Sequence, residues 1–181
     1  MRVVPQTLPA TATTVADDLT LRVTEHYERR GREVWGLCRR LGATDEQAAD
    51  VVQESHLRLW RELSAGRPIA DVDGWVFRVA YRLVMDNHRL TRRVRDLVGR
   101  LTTPNPQEVT AAIDVAVSLW PLVDHLPARE RATLYLRYRA DLSFDQVGEV
   151  MGITPAAART YASRGTDRLR TLMTETEARS T

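Results

Sequence analysis

The chain contains no lysine, so all 26 of its basic residues are arginine, set against 24 acids for a formal net charge of +2. A balance so near neutrality does not by itself mark a nucleic-acid-binding protein, and the placing of the arginines must carry any such argument. Cysteine occurs once, at Cys38, which excludes an intrachain disulfide and gives no sign of an oxidising compartment. No apolar run approaches the ~20 residues needed to span a bilayer, so no membrane contact is expected. The opening stretch MRVVPQTLPATATTVADD lacks the continuous apolar segment of a signal peptide. It reads as a flexible extension over residues 1–16, and the cytoplasm is the expected location. Catalytic wording is missing as well. His26, His56, His88 and His125 are scattered, and there is no HExxH, paired-cysteine, glycine-rich phosphate-loop or nucleophile-elbow pattern. Asp86 and His88 are neighbours in sequence, but residues two apart do not share a helix face. No enzyme activity, cofactor or metal site is expected.

What is present is helical periodicity in a chain of 181 residues, 43% hydrophobic and 28% charged, which is enough for one domain or two small ones. Leu19, Val23, Tyr27, Val34, Leu37, Cys38 and Leu41 predict one long helix or two abutting ones from about Val15 to Leu41, softened at Gly31 and stopped at Gly42. A second helix is expected over Gln47–Leu63, opened by Thr44 and Asp45, with Ala48, Val52, Leu59, Trp60 and Leu63 on its dry side. Its other side carries Asp50, Gln53, Glu54 and Arg61. The segment Ser64–Asp73, with Gly66 and Pro68, has loop composition. A third helix follows from about Asp73 to Arg93, its expected core stripe being Trp75, Val79, Leu83 and Leu90. These elements make a helical domain over residues 17–93.

Periodicity fails between Val94 and Glu108, where Pro104 and Pro106 stand, and this predicts a linker over 94–108. About fifteen extended residues reach ~50 Å, more than the ~34 Å of one duplex turn. A second domain is expected over 109–173, with a flexible tail from 174. Ile113, Val117, Trp120 and Val123 predict its first helix, and Arg129–Arg139 its next, with Ala132, Leu134, Tyr135 and Tyr138 available for packing. Then Ser143 caps a short helix to Met151, Gly152 turns, Ile153 plugs, and Thr154-Pro155 opens another helix. A short helix, a glycine turn and a helix bearing Arg159, Arg164, Arg168 and Arg170 have helix-turn-helix form, with a plain helical hairpin as the alternative. The fold class expected is all-α: two small helical domains on a flexible linker, the second containing a helix-turn-helix.

The arginines are unevenly placed. Arg78, Arg82, Arg89, Arg92, Arg93, Arg95 and Arg100 stand against only Asp86 and Asp96 over residues 78–100, with Tyr81 among them. Cations beside an aromatic suit stacking on unpaired bases. A solvated basic face is the alternative for either helix alone. Two such helices in separate domains support a double contact with nucleic acid.

The wording AADVVQESHLRLW, then GWVFRVAYRLVMDNHRLTRR, a variable linker, LPARERATLYLRY and LSFDQVGEVMGITPAAARTYASRGTDRLRTL resembles, in that order, the extracytoplasmic-function sigma factors of bacterial RNA polymerase. The likeness runs from about Leu19 to Leu172. It implies a dissociable, non-catalytic initiation subunit that binds core polymerase, recognises −35 and −10 promoter elements and assists melting. By resemblance, Asp50, Gln53 and Glu54 dock on the clamp coiled coil of the polymerase large subunit, and the second domain meets the flap of the other large subunit. Arg78, Tyr81, Arg82 and Arg89 match positions facing the −10 element. The loop Ser64–Asp73 corresponds to the segment that captures a flipped base. Arg159, Thr160, Ser163 and Arg164 match the face that enters the major groove at −35. An anti-sigma protein is a further partner the resemblance allows. His56 replaces a usual aromatic, Gly148 a usual alanine at a helix cost of up to ~1 kcal/mol, and Ala158 and Ala162 larger apolar residues. The competing reading is a stand-alone helix-turn-helix regulator that binds DNA without polymerase, with a bare helical scaffold behind it.

Overall fold

A computed structural model describes residues 10–98 and 119–179. Among these residues there are seven α-helices, one π-helical turn and no strand. Helix α1 (Ala10–Arg40), α2 (Asp45–Ser64) and α3 (Val72–Val98) form the first unit. Helix α1 is continuous through Gly31 and begins inside the stretch expected to be a flexible extension; no proline or glycine interrupts residues 10–30. Thr44 closes a full capping box on α2, its hydroxyl accepting from Gln47 N while Gln47 Oε1 accepts from Thr44 N. Helix α3 runs on to Val98, five residues into the expected linker, and the rest of that linker lies outside the described residues.

The second unit holds α4 (Trp120–Val123), α5 (Ala128–Leu134), a π-turn at Tyr135–Arg139, α6 (Phe144–Met151) and α7 (Pro155–Arg179). Residues 109–118 of its expected first helix are likewise outside the described residues. Helix α7 reaches Arg179, so residues 174–179 are helical where a flexible tail is expected. Ala132, Leu134 and Tyr135 are buried as expected, whereas Tyr138 is exposed. The π-turn, closed by Ala140 N donating to Tyr135 O at 3.0 Å, is the reason. Its extra residue per turn breaks the 3.6-residue register that placed Tyr138 inward.

The core of α3 also differs from expectation. Val76, Phe77, Ala80 and Val84 are buried, whereas Trp75, Val79 and Leu83 are half-buried and Leu90 is exposed. Helix α3 carries two apolar stripes about one residue apart, and periodicity alone cannot rank them. Packing on two sides, against α1 and α2 and against α6, selects the second. Trp60 likewise is 37% exposed and lies outside the α2 core of Ala48, Val52 and Leu59.

Under α1 and α2 lies a buried polar cluster. His56 Nδ1–H donates to the Val52 carbonyl at 2.8 Å, and its Nε2 lies 3.1 Å from His26 Nδ1. His26 Nε2 in turn faces Asp73 Oδ1 of α3 at 3.1 Å. Tyr27 meets the His56 ring edge-on, so His56 fills the place of an aromatic. Burial pushes both imidazoles below their ordinary value. For His26 the neighbouring His56 adds to this, while Asp73 opposes it.

One contiguous set of buried residues crosses from the first unit to the second, from Val34, Leu37 and Cys38 to Tyr135, Leu136 and Val147. Gly36 makes this close approach possible: a methyl group there would overlap the Tyr135 hydroxyl. Beside it the Arg40 guanidinium stacks over the rings of Trp120 and Tyr135, at 5.3 and 5.2 Å, and reaches Asp124 at 3.6 Å.

Candidate functional site

Three surfaces carry the side chains singled out in the sequence. On α2 the buried stripe Ala48, Val52, Ser55, His56 and Leu59 faces the core and turns Asp50 and Gln53 to solvent. Glu54 is half-buried at the edge, its Oε1 accepting from Arg58 Nε at 2.7 Å. The three residues therefore share one accessible, acidic and amide-bearing face. Leu57 and Trp60, 40% and 37% exposed, adjoin it one and two turns on from Gln53. Periodicity hid them by placing Trp60 in the core, yet an aromatic and a leucine left open beside Gln53 give that face an apolar strip. Trp60 is held by its indole N–H donating to Thr20 Oγ1 at 3.3 Å.

On α3 the candidates divide. Arg82 and Arg89 are exposed, and Arg89 bonds Asp86 at 3.2 Å. Arg78 and Tyr81 are half-buried against the second unit. Arg78 lies 3.5 Å from Glu149 of α6, and Tyr81 lines a groove of 720 Å³ with Met85, Arg129, Met151 and Ile153. Burial raises the Tyr81 phenol above its usual value. The loop ahead of α3 is fixed by Asp71, whose Oδ1 accepts from Gly74 N at 2.9 Å and whose Oδ2 accepts from Gln146 Nε2 at 2.8 Å. Gln146 is itself half of the capping box that starts α6, with Ser143 as the other half.

The helix-turn-helix is built as its wording requires. Gly152 ends α6 with φ 67°, in the left-handed region where side chains are strained. Thr154 Oγ1 accepts from Ala157 N at 3.2 Å, and Pro155 opens α7. Ala158 and Ala162 are buried, so the small residues pack α7 directly onto its neighbours. Opposite them Arg159, Thr160, Ser163 and Arg164 are all exposed on one face. The Arg159 guanidinium rests over the Phe144 ring at 5.6 Å. Gly148 faces the α6–α7 corner, where an added Cβ would stand 2.8 Å from the Ile153 carbonyl. The glycine thus belongs to the tight turn. Among the described residues no cluster of histidine, cysteine and carboxylate side chains could hold a metal ion, and no helix is long and apolar enough to cross a membrane.

Comparison with known proteins meets this geometry in both units. The Sigma-70 region 2 model matches residues 26–94, and the Sigma-70, region 4 model matches 117–169. The ECF RNA polymerase sigma factor SigL of Mycobacterium tuberculosis is 30% identical over 148 residues, covering 76% of this chain and 82% of that protein. SigE of Mycolicibacterium smegmatis is 27% identical over 155 residues, and there the match covers 82% of this chain but only 58% of the relative. Among solved structures, the sigma factor RpoE, in complex with the anti-sigma factor NepR from Bartonella quintana, aligns with TM-score 0.64 at 17% identity. That alignment covers 83% of this chain and 96% of RpoE. CnrH, in complex with the cytosolic domain of CnrY, aligns with TM-score 0.60 at 19% identity over 91% of this chain and 95% of that one. At those identities the structures establish the shared fold. An all-α chain with a region 2 unit, a region 4 unit ending in a helix-turn-helix, and a SigL relative matched over most of both lengths belongs to the ECF sigma factors of RNA polymerase.

Proposed function

We propose that Asp50, Gln53 and Glu54, with the adjoining Leu57 and Trp60, form the face that docks on the clamp coiled coil of core polymerase. In the same reading Arg78, Tyr81, Arg82 and Arg89 contact the −10 element. The loop ahead of α3 takes the flipped base, and Arg159, Thr160, Ser163 and Arg164 enter the major groove at −35. The observation that carries this is one of disposition. The acidic and amide face of α2 and the arginine face of α7 each point to solvent from a helix whose opposite side is buried. Direct base readout needs such a face, since phosphate contacts alone carry no sequence information.

The division of labour follows residues 17–93 and 109–173, joined by 94–108, with the second unit also meeting the polymerase flap. The reading gives the chain no catalytic step: unstacking a base costs a few kcal/mol, which binding offsets. It places the protein in the cytoplasm, where polymerase is. An anti-sigma protein is a further proposed partner; the similarly folded RpoE was solved with one.

The test is a double substitution. Gln53→Ala with Glu54→Ala is expected to abolish most co-purification with core polymerase while the thermal melt of the free protein stays in place, because neither side chain is in the core. Full retention on polymerase would remove α2 as the docking face.

A further inference from the structure

We propose that His26 and His56 position the loop ahead of α3 for promoter melting, by carrying polar contacts from α2 across α1 to Asp73. This rests on the base-capturing role assigned to that loop above. The chain of contacts is continuous. His56 Nδ1–H on α2 donates to the Val52 carbonyl at 2.8 Å, its Nε2 lies 3.1 Å from His26 Nδ1 on α1, and His26 Nε2 lies 3.1 Å from Asp73 Oδ1. Asp73 stands in the first turn of α3, where the loop ends. Its carboxylate also receives Arg29 at 3.3 Å on Oδ1 and Arg30 Nε at 2.9 Å on Oδ2. Among the described residues the histidine pair is the one hydrogen-bonded route from α2 to that carboxylate. Helix α2 carries the face proposed to dock on polymerase, so the pair ties the far end of the loop to the docked helix.

The near end of the loop is fixed separately, by Arg67 donating to both carboxylate oxygens of Glu62 at 2.5 and 2.8 Å. Asp71 closes the far end onto Gly74 N, and Ile69 packs half-buried against the core. Pro68 and Ala70 are left exposed between the two anchors. Buried imidazoles cost stability unless their nitrogens are partnered. His26 and His56 are both buried, and a phenyl ring at position 56 would meet Tyr27 as well as the imidazole does. What the ring nitrogens add is the reach to Asp73. Around the pair stand Arg29, Arg30 and Glu33 of α1, Asp73 of α3 and, across the crevice at Arg30, Asp141, itself paired with Arg137. Burial keeps both rings below their ordinary 6.5, so above that pH the pair is neutral. Protons taken up at lower pH set two cations 3.1 Å apart beside two arginines, with Asp73 and Glu33 already paired. Acid therefore loosens the joint at Asp73.

Run-off transcription by the holoenzyme, on a promoter selected from its own genome, separates melting from docking. The duplex is compared with the same promoter already mismatched at −10. His56→Phe keeps a ring against Tyr27 and cuts the route to His26. It should lower duplex run-off about ten-fold, the weight of one buried hydrogen bond, and leave the mismatched template near the parent level. His26→Leu should do the same, while His26→Gln, whose amide still donates to Asp73, should recover most of the loss. In the parent the ratio of duplex to mismatched run-off should fall as the pH drops below 6.5, and in His56→Phe it should fall less. In an Asp73→Asn background His56→Phe should add little further loss, because the histidines act through that carboxylate. Equal losses on both templates, or a His56→Phe effect undiminished in Asp73→Asn, would overturn the positioning role. Pro68→Gly with Ala70→Gly slackens the loop without touching the histidines. If that variant transcribes the duplex as the parent does, the base-capturing role fails. If it is impaired while the histidine variants are not, the positioning role fails alone.

Discussion

His56 shows how one substitution against the family wording brings chemistry with it. The position keeps an aromatic's packing role, with Tyr27 against its edge, but adds a titratable ring beside His26 in a buried site. Burial lowers both imidazoles, so between pH 6.5 and their lower folded values the unfolded chain binds more protons than the folded one. Stability from this pair is therefore complete above pH 6.5 and declines as the pH falls through that window. Urea unfolding on either side of pH 6.5 should show the decline, and His56→Phe should shrink it by removing one of the two buried rings. An equal acid loss in the variant would place its origin elsewhere. Gly148 is the second case at this scale. Helix propensity alone charges it with up to ~1 kcal/mol, whereas the Ile153 carbonyl, 2.8 Å from where a Cβ would stand, explains why α6 keeps a glycine there.

Among the elements, caps and turns were the most legible in the sequence, because they depend on local chemistry. Thr44 and Ser143 both close capping boxes, and Gly152, Thr154 and Pro155 stand where a helix-turn-helix needs them. Ser143→Ala removes the hydroxyl that accepts from Gln146 N, and should cost about 1 kcal/mol in chemical unfolding. A variant as stable as the parent would show that the cap contributes nothing.

Faces were less legible than caps. On α2 the polar triad stood out because its opposite side is apolar, but Trp60 was drawn inward by the same periodicity. On α3 two apolar stripes compete, and only the presence of α6 on one side decides between them. Tyr138 was lost to a π-turn that leaves no simple mark in the sequence. On α7 the candidates Arg159, Thr160, Ser163 and Arg164 came from the resemblance, and Ala158 and Ala162 form the buried side opposite them. Arg159→Ala should weaken holoenzyme binding to the upstream promoter element by about 1–3 kcal/mol if it contacts a base edge. Footprints unaltered at that element would exclude the contact.

In the whole molecule the two units were expected from composition and from the break after α3, but their mutual packing was not. It depends on pairs far apart in sequence: Gly36 with Tyr135, Asp71 with Gln146, Arg78 with Glu149. No local pattern encodes such pairs, and an arginine read as a free cation looks the same as one held by a glutamate. The matched family models likewise fall on the two units separately. In the proposed function they form one initiation subunit that docks through α2 and reads DNA through α3 and α7. Run-off transcription with core polymerase on a pooled library of upstream regions from its own genome tests that claim most directly. The account predicts transcripts that appear only when the protein is added, share a two-part upstream motif, and vanish with Gln53→Ala and Glu54→Ala together. Specific DNA binding by the free protein, with no polymerase association and no new transcript, would contradict it.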